Sequence, residues 1–484
     1  MQYVIIGNGI LGLSTAFRLT QRLSPSDSIV VIGPSDRPGC ATFAAAAMLN
    51  SFGEISAGSL KSDFDLYHFE LSHLATRRWP EFEKELIEAA GDHLPAGCAK
   101  CQILTGGCFD RGTYIVNNTA ADEWDDRNFE AILQALDDFD EPHELVNPRD
   151  IPNYLPAQHS RALRAVYIHN EGWLNPRLVI EKMEAILCNN TQVSMIDGKV
   201  QRLERAGDSI SSVHLETGDI IEGDEYLLAS GASVGKILQA SELGLNIQPI
   251  FYGLGVSLEI SSPDHPHTKC VRTPNRGGAC GIYTVPLFLG PDDGKDRIMV
   301  GASNRLLPEP KFHGRLGSIE HIMKGAITEI NQYFYAARLV RTNVGWRPTT
   351  QDTYPLLGKT SVKNLTIATG TKRDGFHLSP VLSDYMATLL MGGSVDDRFD
   401  MFAPERSIIR DVTREDAVEI IVASLMSEQY QHGYTPSGIM MDNQVRDTYR
   451  RDIQELHDKV GAKDWGIPPE LVNMYRLGHA QVDA

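Results

Sequence analysis

Residues 3–32 read YVIIGNGILGLSTAFRLTQRLSPSDSIVVI, and this stretch decides the fold. Residues 3–7 are an apolar run that ends in glycine. Residues 10–23 carry apolar side chains at helical spacing, with Leu13, Ala16, Phe17 and Leu19 on the inner side. Residues 28–32 are a second apolar, β-branched run. Strand, helix and strand within about thirty residues make the βαβ unit of a parallel sheet. Between the first strand and the helix lies Gly7-Asn8-Gly9-Ile10-Leu11-Gly12, a GxGxxG. Its position gives it meaning: Gly7 permits a tight turn, Gly9 lets backbone approach a pyrophosphate, and Gly12 lets the helix pack close to the strand. The helix N-terminus, with Ile10 and Leu11 in its first turn, then offers free N–H groups and a positive dipole end to an anion. The second strand of such units normally ends in an acid that holds a ribose. Here Gly33 stands in that place, and Ser35 or Asp36 is left to reach the ribose.

Outward from this unit the texture alternates. Residues 64–90 read as a long helix broken near Pro80, residues 176–188 as a helix with Pro176 in its first turn, and residues 319–336 as a helix. Strand-like segments crowd 101–118, 193–229 and 248–302. The expected fold is α/β with an α+β insert: a doubly wound, Rossmann-type dinucleotide domain (1–60, 150–235 and 340–406), interleaved with an antiparallel, β-rich substrate domain (61–149 and 236–339). Residues 407–484 form a helical extension. There Thr413 and Asp416 fit a capping box ahead of a helix with Val418, Ile421, Val422, Leu425 and Met426 on one face, and a second amphipathic helix is expected over 445–460. This extension either packs on the chain's own body or serves as a subunit contact, giving a homo-oligomer, or as a cover for the site.

The bulk numbers narrow the function. The chain has 484 residues, 42% hydrophobic and 22% charged, with a net charge of −18. So acidic a surface repels nucleic-acid phosphates and anionic lipid, so neither nucleic acid nor membrane is an expected partner. No apolar run is long enough to cross a bilayer, and the N-terminus lacks the pattern of a secretory signal, which makes the cytoplasm the expected compartment. Seven scattered cysteines fit a reducing environment. Cys98 and Cys101 have CxxC spacing without a partnering half-site, so plain thiols are favoured over metal and no metal is expected.

Seven motifs in order along residues 1–405 resemble the D-amino-acid oxidase and glycine oxidase family of FAD enzymes. After the GxGxxG comes the small-residue run 41–49, with Thr42, Ala46, Ala47 and Met48. The others are Glu171-Gly172-Trp173-Leu174-Asn175-Pro176-Arg177, Ala229-Ser230-Gly231-Ala232, Tyr283-Thr284-Val285-Pro286, Gly345-Trp346-Arg347-Pro348 with Asp352 and Pro355, and residues 370–380. The resemblance implies FAD held by Gly7, Gly9, Ile10, Leu11, Gly12, Ser35, Thr42, Ala46, Ala47, Met48, Val200, Gly231, Arg373, Gly375, Phe376, His377 and Leu378. Thr42 would donate to a phosphate oxygen, Val200 would touch the adenine side through its backbone, and backbone N–H groups at 375–378 would face the flavin's pyrimidine edge. The family's covalent members use a cysteine in the C-terminal third. The last cysteine here is Cys280, so the FAD is expected to be non-covalent.

For chemistry, the resemblance implies Arg347 as the clamp on a substrate carboxylate, with Tyr283 beside it. A planar guanidinium fork fixes both distance and orientation. Arg373 either assists or only holds its loop, and His377 either tunes the flavin or packs. The expected reaction is hydride transfer to flavin from a small carboxylate-bearing amine: glycine, an N-substituted glycine or a D-amino acid. The imine hydrolyses to glyoxylate or a keto acid plus an amine, and oxygen is reduced to hydrogen peroxide. Two further readings stand beside it: an FAD dehydrogenase of a 2-hydroxy acid or other carboxylate substrate with a non-oxygen acceptor, and a flavin-bearing scaffold whose C-terminal helices bind a partner.

Overall fold

The computed structural model describes residues 1–97, 109–118, 120, 123–276, 281–287 and 296–482. The Cys98/Cys101 pair and the expected strand at 101–107 lie outside these residues.

The strands of the N-terminal unit run from Gln2 to Ile6 and from Ser28 to Ile32, flanking the helix Ile10–Thr20. They sit at the centre of a six-stranded sheet whose order is Leu356–Lys359, Leu365–Thr369, Glu225–Leu228, Gln2–Ile6, Ser28–Ile32 and Val193–Ile196. All its pairings are parallel except that of Leu356–Lys359 with Leu365–Thr369. Because side chains alternate across a strand, Ile5, Val31 and Leu227 face one layer while Val4, Val30 and Tyr226 face the other. The first face packs on the helices Ile10–Thr20, Pro176–Cys188 and Ser379–Leu390. The second is covered by the three-stranded meander of residues 200–222 and by the helix Val234–Ser241. Burial on both faces explains the unbroken apolar runs at 3–6 and 29–32.

A second, larger sheet carries the substrate side. Its longest pairing joins Ile250–Ser261 antiparallel to Arg338–Thr350, from Ile250 opposite Thr350 to Ser261 opposite Arg338. The strand Arg164–Leu174 belongs to the same sheet and pairs with Phe109–Asn117. Two expected domain boundaries therefore move, since residues 164–174 and 338–350 hydrogen-bond into the β-rich sheet, not the dinucleotide sheet. The helix Asp63–Ala90 moves the opposite way: Leu71, Ala75, Trp79, Phe82 and Leu86 pack into the core of the dinucleotide domain. It is also continuous through Pro80. Proline there removes one helical hydrogen bond, and the fully buried Trp79 and Phe82 on either side hold the helix together.

The extension holds helices Arg414–Gln431 and Ile439–Lys459 and a short turn of helix at Val472–Arg476. Thr413 caps the first by accepting the Asp416 N–H at 3.1 Å. The second begins six residues before its expected start. Val418, Ile421, Val422 and Met426 join Ile453, Leu471 and Met474 in a core that reaches Phe251 and Leu306 of the large sheet. The extension thus packs on the body of the chain. Among the described residues no helix is long and apolar enough to cross a membrane.

Candidate active site

A cavity of about 610 Å³ runs from the GxGxxG turn to the large sheet, within the range of small-molecule and cofactor pockets. At one end Gly7 has φ +124°, and a Cβ there would lie 2.4 Å from the Ala229 carbonyl oxygen. A Cβ on Gly12 would lie 1.8 Å from the Gly7 carbonyl oxygen, so Gly12 is a packing glycine behind the cavity wall. Gly9, Ile10 and Leu11 line the cavity. The helix they open has no side-chain cap and no acid in its first turn. Beyond the Ile10 N–H, its first-turn N–H groups are therefore open to an anion. Thr42 lines the same end and accepts the Ile10 N–H at 3.2 Å, which leaves its own O–H to donate. The cradle thus fits a pyrophosphate.

The ribose end differs from expectation. A Cβ on Gly33 would lie 2.3 Å from Cγ of Asn8, whose amide folds across the strand end and donates to the Pro34 carbonyl at 3.0 Å. Ser35 is exposed and turned away: its N–H and Oγ both donate to Asp197, at 2.8 Å each. Neither Ser35 nor Asp36 lines the cavity, which corrects the expectation for both. Val200 does line it, together with Lys199, Gln201 and Glu216. The Gly198 N–H donates to the Gly33 carbonyl, and the Glu216 N–H to that of Lys199, which ties these residues to the Gly33 end. Glu216 carried no sequence signal; it adjoins Lys199 because the two lie at the paired ends of one hairpin.

Toward the large sheet, Ala46, Ala47, Met48 and Gly231 line the cavity. The small-residue run allows close approach: a Cβ on Gly345 would lie 2.7 Å from that of Ala44. Gly375, Phe376 and His377 follow on the opposite wall. Leu378 does not reach the cavity; it is fully buried, and its N–H is taken by the Asp374 carbonyl at 2.7 Å. The His377 ring faces the long helix, with Nε2 2.7 Å from Thr76 Oγ1 and Nδ1 3.3 Å from Ser72 Oγ. Burial pushes its pKa down to about 3, so it stays neutral, and its ring packs. Trp79 of the same helix donates to the His377 carbonyl at 2.8 Å and stacks on Phe376. The helix Asp63–Ala90 therefore positions this loop, a role that no local motif announced.

Three cations line the sheet end: Arg347, Lys372 and Arg373. Arg373 pairs with Glu54 at 2.9 Å, and Arg272 pairs with the same carboxylate at 2.6 Å. Burial alone would raise Glu54, but the two guanidinium groups override it and hold its pKa at about 2. This pairing favours loop-holding for Arg373. Lys372 pairs with Glu470 of the extension at 2.7 Å. Arg347 is different: its Nη1 donates to the Ser303 carbonyl at 2.9 Å and to Asn304 Oδ1 at 3.4 Å, both neutral oxygens. The guanidinium lies over Gly255, where a Cβ would fall 2.5 Å from Nη1. Tyr283 is 4% exposed, lines the cavity, and packs its ring over Gly301. Gly255 and Gly301 leave the space that these two side chains fill.

The chain is similar to several known proteins. The bifunctional protein ThiO/ThiG of Trichormus variabilis is 25% identical over 413 residues, covering 82% of this chain and 54% of that protein, so the chain spans about half its length. A D-amino acid dehydrogenase of Vibrio atlanticus is 22% identical, covering 83% of this chain and 98% of that protein. The crystal structure of glycine oxidase from Geobacillus kaustophilus superposes with a TM-score of 0.68 at 19% identity, over 84% of this chain and 99% of the other. The family profile DAO, described as FAD dependent oxidoreductase, matches residues 2–389. The chain belongs to this family of FAD-dependent oxidoreductases, and FAD is its cofactor.

Proposed function

We propose that the protein oxidises the carbon–nitrogen bond of a small amine bearing a carboxylate, a glycine-type substrate or a D-amino acid, with oxygen as acceptor. The observation that carries this reading is the state of Arg347, a cavity-lining guanidinium whose hydrogen-bond partners are neutral oxygens. A cation so placed favours an anionic ligand, and its fork suits a carboxylate. The names of the relatives agree: glycine oxidase and D-amino acid dehydrogenase both act on such amines.

The residues of the chain divide the work. Gly9, Ile10, Leu11 and Thr42 would hold the pyrophosphate of FAD, and the loop 375–377 would border its ring. The flavin supplies the two-electron redox chemistry when bound. Arg347 fixes the substrate carboxylate, and the Tyr283 hydroxyl donates to the same group. With the carboxylate anchored, only a carbon bonded to it is presented for oxidation, which is a positional effect. The product imine hydrolyses to glyoxylate or a keto acid plus an amine. Attachment of FAD is proposed as non-covalent, so unfolding should release it into solution.

Peroxide release in air tests this reading. Glycine derivatives and D-amino acids should give peroxide while the matching 2-hydroxy acids do not. Turnover only with an artificial electron acceptor would favour the dehydrogenase, and peroxide from hydroxy acids alone would overturn the amine reading.

A further inference from the structure

The C-terminal extension lies beyond the family match, which ends at residue 389, yet it sends one carboxylate to the back of the active-site wall. Glu470 Oε1 is 2.7 Å from Lys372 Nζ, and its Oε2 accepts from Asn304 Nδ2 at 3.2 Å. That second bond fixes the amide of Asn304, whose oxygen is then turned to Arg347 Nη1. Glu470 is 11% exposed in its side chain and does not itself line the cavity. The backbone reinforces the link: the Lys372 N–H donates to the carbonyl of Pro348, the neighbour of Arg347, at 2.9 Å.

A charge count at this end follows. Arg373 shares Glu54 with the buried Arg272 and Lys372 is paired with Glu470, while Arg347 has only neutral partners among the described residues; the Asp374 carboxylate lines the same cavity. We infer that Glu470 is a specificity-determining positioning residue, and that by pairing with Lys372 it leaves Arg347 as the sheet-end cavity cation without a carboxylate partner and selects substrates with a single carboxylate. This rests on the carboxylate reading of Arg347 given above. Without Glu470, the Lys372 ammonium on its flexible stem becomes a second anchor, and a ligand with two carboxylates gains what a ligand with one does not.

The experiment uses the full-length, FAD-loaded protein and two unreactive probes, acetate and malonate. Their dissociation constants are read from the change in flavin visible absorbance. In Glu470→Gln the preference for malonate over acetate should rise about tenfold relative to the unmodified protein, the effect of one added charge-assisted contact. Glu470→Asp, which keeps the charge, should hold the original ratio. Adding Lys372→Met to Glu470→Gln should abolish the gain. Glu470→Met should reproduce the gain and serves as the second variant if the amide variant fails to hold flavin. A ratio within twofold of the original in both neutral variants overturns the inference, as does a gain that survives loss of Lys372. If neither probe perturbs the unmodified protein or responds to Arg347→Ala, the carboxylate reading itself fails and takes the inference with it.

Discussion

Replacing Arg347 by alanine should abolish recognition of the carboxylate while sparing the flavin. The guanidinium is held by the Ser303 carbonyl at 2.9 Å and by Asn304, and it lies over Gly255, so it is fixed before ligand arrives. A preorganised fork loses little side-chain freedom on binding. Each charge-assisted hydrogen bond contributes about 1.5–3 kcal/mol, and truncating one partner of a desolvated charge pair costs about 2–5 kcal/mol. At about 1.4 kcal/mol per tenfold, acetate affinity should fall by a factor of roughly 30 to 4,000. Arg347→Lys keeps the charge and loses the fork, so it should fall between the two. Gly255→Ala is the sharper variant: its Cβ would sit 2.5 Å from Nη1, displacing the guanidinium without changing any charge. It should weaken acetate at least about fivefold, by disturbing preorganisation. The assay is acetate titration followed in the flavin spectrum, with the flavin-to-protein ratio as control. An acetate affinity within threefold of the original in Arg347→Ala, at unchanged flavin content, would refute the reasoning.

Other outcomes follow from the same structure. Gly12→Val places a side chain where even a Cβ lies 1.8 Å from the Gly7 carbonyl oxygen, so the purified variant should hold little or no FAD by absorbance. Arg276 is buried between Asp125 and Glu329, each 2.7 Å away; Arg276→Met should cost about 3–5 kcal/mol in urea unfolding by leaving buried carboxylates unpaired. Burial pushes Glu171 up to about 8, against the pull of the Gly53 N–H and of Arg272. Its protonated form is therefore favoured in the fold. The resulting stability is full below pH 4.5 and is lost as pH rises through 8, and Glu171→Gln should flatten that part of the pH–stability curve.

How far the sequence carried depends on whether a residue's partner is near it in the chain. Gly7, Gly9 and Gly12 answer to a turn within their own hexapeptide, so spacing alone placed them. Thr413 caps the helix that directly follows it and was legible locally. Gly33 was legible only as a departure, because the Asn8 side chain that fills its space comes from another strand end. Ser35 looked available until Asp197, far along the chain, took both its donors. Pro80 looked like a break because the packing of Trp79 and Phe82 that overrides it is tertiary. Glu470 had no signal at all: a lone acid between Pro469 and Leu471 acquires meaning only when the fold sets it beside Lys372 and Asn304.

In the proposed reaction a carboxylate on Arg347 presents the neighbouring amine carbon to bound flavin. Its most direct test is the visible spectrum of the FAD-loaded protein without oxygen, titrated with paired amines that differ only in their carboxylate, such as sarcosine against dimethylamine and D-alanine against ethylamine. A carboxylate-bearing member should bleach the flavin and its partner should not. Bleaching by both members of a pair at similar concentrations, or a polypeptide that refuses FAD altogether, would contradict it.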